Sequence, residues 1–473
     1  MNRRRHLLLA AVLVAIAVPV WAGAIHGAFQ LDDFATIVRD TSLADAGRFF
    51  AEAPLRIRPL TRLSFLLDRH LYGIEPAGWH VLNLLLHIGN GLLVFSLASR
   101  LPGGRALGFW VALLFLVHPI ATEGVTYVSG RPTVLASFLV LLALALYDRA
   151  TAEGPGGSRR TGPYLAALAC FALALGAKET AAALPLLLLA WDAIGRGIRG
   201  RDLGRAVVRD QAAFWGVLAL GALAALAIPR YRELLASSLS LRSPAENVIA
   251  QGRILPFALE LFARPDRLNV DHDLPIVTSL ADPVALGGLA LAVGLVAAAV
   301  LLARRLPVLS LGILWAFAAA LPAAGPIARA DLLSERNLYL PAAGIFLAAV
   351  GGILAVAQRL PGRLRGRHAR SAAVLAGALL AVAFASATIR RNVLWSDPVL
   401  LWSDAVAKSP RKARAQNNLG YALYLRGDYD EAMERFRLAI TLDPMTPDAP
   451  DNLRRAWEAR VRAEEEKRQS TFR

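Results

Sequence analysis

Long apolar runs alternate with short polar stretches along most of the chain, at about 6–26, 79–99, 107–120, 133–147, 163–176, 181–194, 212–228, 284–303, 307–324, 338–357 and 371–388. Runs of roughly 17–22 residues match the ~30 Å hydrocarbon core of a bilayer. Backbone polar groups have no water partner there, so each run is predicted to be helical. The pattern predicts an all-α, polytopic membrane helix bundle with about eleven spans. Several runs are short, around 163–194 above all, and 250–264 reads as a re-entrant or interfacial helix. The first run follows Met1-Asn2-Arg3-Arg4-Arg5 and looks like a signal peptide with a small-residue site near Trp21–Ala24. Because so many spans follow it, it is read as a retained span.

The arginines between the runs give the bundle a direction. With Arg3, Arg4 and Arg5 inside, the inner loops hold Arg100 and Arg105, then Arg149, Arg159 and Arg160, then Arg196, Arg199, Arg201, Arg205 and Arg209. Arg304, Arg305, Arg359, Arg363, Arg365, Arg367 and Arg370 follow on the same side. The short outer loops carry only Arg131, Lys178, Arg329 and Arg336. This asymmetry obeys the positive-inside rule. Two long outer loops, 27–78 and 229–283, translocate largely regardless of charge. An odd number of spans puts the N-terminus in the cytoplasm and the C-terminal tail outside.

That tail reads as a second domain. Residues 1–390 form the membrane domain and 391–473 an extracytoplasmic tetratricopeptide-type domain. In 413–446, Leu419 and Gly420 sit on one helix, and Ala432, Phe436 and Ala439 on the next, before Pro444. A shift of about 34 residues gives Trp402, Ala405 and Pro410 upstream, and Asn452 and Leu453 downstream. Small residues at these positions let paired helices approach. Such a unit points to a protein partner and not to chemistry.

Composition agrees with a membrane protein: 56% of residues are hydrophobic and only 19% charged. The net charge of +16 does not indicate nucleic acid, because the arginines lie between apolar runs and not on one basic face. The single cysteine, Cys170, excludes a disulfide within the chain.

Ionisable groups near membrane depth are costly and mark function. Five clusters fall on the outer side. Asp32 and Asp33 lie just beyond the first span. Arg58-Pro59-Leu60 precedes His80, Asn83 and His87, whose i, i+3, i+7 spacing stacks them on one helix face. That spacing equally suits hydrogen bonds between helices. The loop from His118-Pro119 to Arg131 carries Glu123, and Lys178-Glu179 lies between two apolar runs. Glu335, Arg336 and Tyr339 stand at the mouth of a late span. Together they suggest a site for an anionic lipid head group.

These motifs resemble the transmembrane-and-tetratricopeptide-repeat O-mannosyltransferases and their bacterial relatives, within the GT-C superfamily. The His-Pro to Gly-Arg loop, Glu335-Arg336-Asn337-Leu338-Tyr339 and the aspartate pair carry the likeness, which runs from about 30 to 446. The tail departs from the eukaryotic members, which carry many more repeats. The resemblance implies a GT-C-like bundle in a bacterial inner membrane, and transfer of a sugar, often mannose, from a polyprenyl phosphate to a hydroxyl on an exported protein. Asp32 or Asp33 would be the catalytic base. Arg131, Lys178, Arg329 and Arg336 would hold the donor phosphate. Arg58, His80, Asn83, His87, His118, Glu123, Glu179, Glu335 and Tyr339 would line the substrate pocket. No residues are assigned to a metal, although paired acids also suit a divalent ion. The sequence lacks a phosphate-cradling glycine loop, which favours a lipid donor. A rival reading is a non-catalytic membrane scaffold that recruits partners through its tail.

Overall fold

Proline opens many of the helices, where its fixed φ suits the first turn and its missing N–H costs nothing. The computed structural model describes residues 3–52, 56–152, 159–359, 361, 366–446 and 448–471. Arg363 and Arg365 lie outside the described residues. The membrane part comprises α1 (Arg3–Trp21), α2 (Ala46–Glu52), α3 (Pro59–Tyr72), α4 (Pro76–Ala98), α5 (Gly104–Val117), α6 (Thr122–Val125), α7 (Arg131–Ala150), α8 (Thr161–Ala177) and α9 (Leu184–Ala190). It continues through α10 (Gly200–Ala206), α11 (Ala212–Ala227), α12 (Pro229–Leu241), α13 (Pro244–Ala263), α14 (Pro283–Leu302), α15 (Pro307–Ala324), α16 (Tyr339–Arg359) and α17 (Arg367–Leu394). The tail adds α18 (Pro398–Lys408), α19 (Ala413–Arg426), α20 (Tyr429–Leu442) and α21 (Ala449–Thr471). No strand occurs among the described residues.

The chain is a multi-pass membrane protein. Eight described helices are long and apolar enough to cross a bilayer, and a ninth is reached if a bent pair counts as one span. That pair is Gly104–Val117 with Pro119–Val125, bent by 54°. Pro119 causes the bend, because it forces His118 into an extended conformation at ψ 131°. The count of about eleven spans is reached only if two shorter segments also cross. These are α8, with 17 residues, and the broken run that continues through α9. The stretch 250–264 forms the second half of α13 and its C-cap Arg264, and the buried Ala250, Ile254, Ala258 and Leu261 share one face.

The core forms where α4, α5, α7, α15 and α16 meet. Without a hydrophobic drive between helices in lipid, close backbone approach does the packing. A Cβ on Gly312 would lie 2.6 Å from the Gly344 carbonyl oxygen, and a Cβ on Gly344 equally close to that of Gly312. The helices over 200–227, 283–302 and 367–394 leave most of their apolar surface facing outward, which suits contact with lipid.

The tail is seated on the bundle end that carries the aspartate pair. Leu31 and Val270 pack against its core of Trp402, Leu419 and Phe436. Lys408 Nζ donates to the Leu268 carbonyl at 2.8 Å. Ser409 Oγ accepts from Asn269 Nδ2 at 2.9 Å and from the Asp273 N–H at 3.1 Å. Arg414 grips Asp271 with two hydrogen bonds, of 2.6 and 2.8 Å, and also reaches Asp331.

Candidate functional site

The chain leaves the first span and turns at Leu31, whose φ is +49°. The turn sends the two following carboxylates in opposite directions. Asp33 is fully buried. One of its oxygens accepts from the Gln30 N–H at 2.9 Å, and the other from the Ser129 N–H and hydroxyl at 2.8 and 2.5 Å. Burial nonetheless pushes its pKa up to about 7, against the pull of those bonds. Asp32 is exposed. Its backbone N–H donates to the Tyr127 phenol oxygen at 2.8 Å, and its carbonyl accepts from Thr36 Oγ1 at 2.8 Å. The Asp32 carboxylate is left open toward solvent, accessible to an incoming hydroxyl.

Tyr127 leads from Asp32 to the cations. The Arg336 guanidinium lies 5.7 Å from the centre of the Tyr127 ring and feels the charges of Glu123 and Asp32. Glu123 holds the segment by accepting from Ser334 Oγ at 2.8 Å and from the Arg336 N–H at 2.9 Å.

Arg336 in turn belongs to a group of four cations. Lys178 occupies an extended link after α8 and is 3% exposed. Its ammonium donates to Thr133 Oγ1 at 2.7 Å and to Asn337 Oδ1 at 2.9 Å, both neutral. Burial, and then the charges of Arg336, Arg58 and Arg329, hold its pKa well below the usual lysine value. Arg329 is likewise lowered by burial, with Glu179 opposing and Arg58 and Arg336 adding to the effect. Its guanidinium has no hydrogen-bond partner among the described residues. Arg58 pairs with Glu179 through two prongs of 3.1 and 2.9 Å. Tyr231 donates to the same carboxylate at 3.1 Å. Burial raises the Glu179 carboxyl, but Arg58 outweighs it and brings the pKa to about 2. Arg58, Lys178, Arg329 and Arg336 are thus gathered around fewer acids than cations among the described residues, with Glu179 and Glu123 paired to them and Asp32 near Arg336. A half-buried excess of donors and positive charge matches what a phosphate lacks.

The other residues singled out from the sequence form the frame of this site. Arg131 is buried and held by Asp68 at 2.6 Å, the Trp79 carbonyl at 2.7 Å and Asn83 Oδ1 at 2.8 Å. It stands apart from the four gathered cations as a strut between α3, α4 and α7. Asn83 also donates to the carbonyls of Val125 and Tyr127. His80 Nε2 meets the Gly27 carbonyl at 3.0 Å. His87 bridges the Tyr339 hydroxyl and the Leu116 carbonyl, at 2.7 and 3.2 Å. His118 accepts from the Ile120 N–H through Nδ1 and donates from Nε2 to the Phe262 carbonyl. Glu335 is buried, accepting from the Asn269 N–H, His272 and Arg391 at 2.6, 3.0 and 2.6 Å.

Tyr127, Ser129, Tyr231, His272 and Arg391 are among the residues of the site and its frame that lay outside the sequence assignments. Tyr127 and Ser129 fall in the polar loop already marked by Glu123, a signal that pointed to them. The other three are isolated in sequence and gave none.

Paired aspartates can bind a divalent ion, but both oxygens of Asp33 are occupied by protein donors, so the pair offers a cation only Asp32. Among the described residues no group of three or more His, Cys, Asp or Glu side chains is placed to hold a metal.

No family model matches the chain. In sequence it is similar to protein O-mannosyl-transferase TMTC1 of Homo sapiens, at 26% identity over 84% of this chain and 49% of that protein. It is similar to Tmtc3 of Drosophila melanogaster at 26% identity, over 81% of this chain and 48% of the relative. A third relative, protein O-mannosyl-transferase F38B6.6 of Caenorhabditis elegans, is 24% identical over 92% of this chain and 62% of its own length. The chain thus spans about half the length of the first two and under two thirds of the third. These relatives carry the family name that the motifs suggested. Among solved structures, ArnT from Cupriavidus metallidurans bound to undecaprenyl phosphate aligns with 91% of this chain and 75% of its own, at a TM-score of 0.41 and 17% identity.

Proposed function

We propose that this chain is a membrane glycosyltransferase that moves a sugar from a polyprenyl-phosphate donor to an acceptor hydroxyl at the tail-bearing face. One observation carries the reading: an open carboxylate, Asp32, is joined through Tyr127 and Arg336 to a half-buried cluster of four cations. A base for a hydroxyl next to a cradle for a phosphate is the pairing that such a transfer demands. The similarity to proteins named O-mannosyl-transferases supports mannose as the sugar and protein as the acceptor.

In this mechanism the acceptor O–H gives its proton to Asp32 while its oxygen attacks the anomeric carbon. The bond from that carbon to the lipid phosphate breaks, and its electron pair stays on the phosphate. A single displacement inverts the anomeric configuration. A phosphate leaves readily and needs positive charge more than a proton. Lys178, Arg58, Arg329 and Arg336 supply that charge, and one such contact is typically worth roughly 3–4 kcal/mol. General-base assistance from Asp32 adds about 10²–10⁴-fold. The site then faces the outer side of the membrane, with the arginine-rich loops inside. Residues 391–473 act as an accessory domain beside it.

The test uses the full chain in lipid nanodiscs with radiolabelled polyprenyl-phosphate mannose and a serine/threonine peptide mixture. Wild type transfers label to peptide, and Asp32→Asn inserts normally but transfers none. Full transfer by Asp32→Asn refutes the reading.

A further inference from the structure

Three structural features meet at Tyr127, and one of them, its stack on Trp395, has no part in the proposed chemistry. The ring is 2% exposed. Its hydroxyl accepts the Asp32 N–H at 2.8 Å, which fixes the backbone that carries the open carboxylate. One face is stacked on Trp395, with centroids 5.5 Å apart and planes inclined by 27°. The Arg336 guanidinium lies over the ring, 5.7 Å from its centre.

Trp395 lies just beyond the end of α17, where the membrane part passes into the tail. Its carbonyl accepts the Ala28 N–H at 3.1 Å, tying the start of the aspartate loop to the same point. Leu401 of α18 packs into the cluster formed by Tyr127 and Trp395, and Leu31 borders both that cluster and the tail core. Asn392 and Arg391, three and four residues before Trp395, bond to the segment that leads into Tyr127. Asn392 Oδ1 accepts from Thr126 Oγ1 at 2.7 Å, and Arg391 Nε donates to Thr122 Oγ1 at 2.6 Å. Trp395 is 1% exposed, and its indole N–H has no hydrogen-bond partner among the described residues. What it contributes is therefore its ring and not its hydrogen bond.

We infer that Tyr127 is a positioning residue for the catalytic carboxylate, and that Trp395 transmits the seating of the tail to it. The docked α18 presses Trp395 onto Tyr127. Tyr127 holds the Asp32 backbone and flanks Arg336, so base and phosphate cradle are registered by a single ring. The tail is then a structural part of the site, and a protein bound to it changes transfer through this stack. The catalytic half of the inference rests on the transferase reading above. The positional half does not.

The experiment compares wild type with Tyr127→Phe, Trp395→Phe and Trp395→Leu as full chains in nanodiscs. Hydrogen–deuterium exchange is read over residues 28–36, and transfer from polyprenyl-phosphate mannose to the peptide mixture is read in parallel. Tyr127→Phe keeps the ring and loses the acceptor, so exchange at Asp32 rises about fivefold to tenfold. Its kcat falls by a similar factor with the donor KM within about twofold. Trp395→Leu gives the same pattern, and Trp395→Phe, which keeps a ring, restores most of both. Unchanged exchange at Asp32 in both Tyr127→Phe and Trp395→Leu overturns the inference. Raised exchange with unchanged kcat overturns its catalytic half. If wild type transfers no label, the transferase reading fails while the exchange result still decides the positional claim. Should Trp395→Leu fail to insert, Tyr127→Phe, which removes a single oxygen, decides the claim for Tyr127, and Leu401→Ala, which loosens α18 from Trp395, decides the claim for Trp395 by the same exchange reading.

Discussion

Ser129 closes on Asp33 from across the bundle end, its hydroxyl at 2.5 Å and its N–H at 2.8 Å from the same carboxylate oxygen. These bonds oppose burial, which dominates and raises the carboxyl from 3.8 to about 7. The folded chain therefore holds a proton that the unfolded chain releases between about pH 4 and pH 7. Stability falls as pH rises through that window, because the unfolded state binds fewer protons there. Asp33→Asn removes the titration. Thermal unfolding in detergent from pH 4 to pH 8 checks this, and the slope should flatten in the variant. Ser129→Ala removes the lowering hydroxyl contact and keeps that of the N–H, so the drop in stability extends to higher pH.

Burial shifts the pKa of Lys178 in the opposite direction, which favours its neutral form. Without a phosphate, burial and then the neighbouring arginines depress its pKa. A bound phosphate restores a counter-charge and raises it, so donor binding takes up a proton between the two values. Donor affinity should then weaken as pH rises through that interval. Lys178→Met removes a charged donor worth about 1.5–3 kcal/mol, which raises the donor KM by roughly tenfold to a hundredfold. The variant should also lose the pH dependence of KM. Steady-state kinetics at several pH values measure both.

Arg414 fastens the tail at Asp271, which is 3% exposed. Arg414→Ala leaves a buried carboxylate without its partner, a loss of about 1–3 kcal/mol in docking. The partial exposure of the arginine places the effect toward the lower end. Limited proteolysis between α17 and α19 should become faster in Arg414→Ala. The double variant with Asp271→Asn should recover part of the protection.

The apolar spans were legible because burial in lipid imposes continuous apolar runs. The partners of the polar residues were not. Arg58 finds Glu179 across 121 positions, and Arg391 finds Thr122 across 269. Nothing local encodes such a meeting. Asp32 and Asp33 are chemically identical neighbours, and only the turn at Leu31 makes one exposed and the other buried. His80, Asn83 and His87 do share a helix face, as their spacing implied. Yet each bonds to carbonyls or side chains of adjacent segments, the interhelical role that the same spacing allows, and only His80 keeps a ring nitrogen, Nδ1, without a partner among the described residues. Arg131 was read as a phosphate ligand beside Lys178, Arg329 and Arg336, since outer-loop cations look alike in one dimension.

Arg131 tests that last distinction. It is fully buried against Asp68, Asn83 and the Trp79 carbonyl, with the Phe65 ring 4.9 Å away. Arg131→Met strands the Asp68 carboxylate, and breaking such a buried pair costs about 3–5 kcal/mol. The expected result is a large loss of thermal stability in detergent, with the donor KM of any folded fraction unchanged. Adding Asp68→Asn removes the stranded charge and should recover part of the stability, which an arginine acting on phosphate would not predict. Arg131→Met that stays as stable as wild type but raises the donor KM tenfold would instead return Arg131 to the phosphate site, beside Lys178.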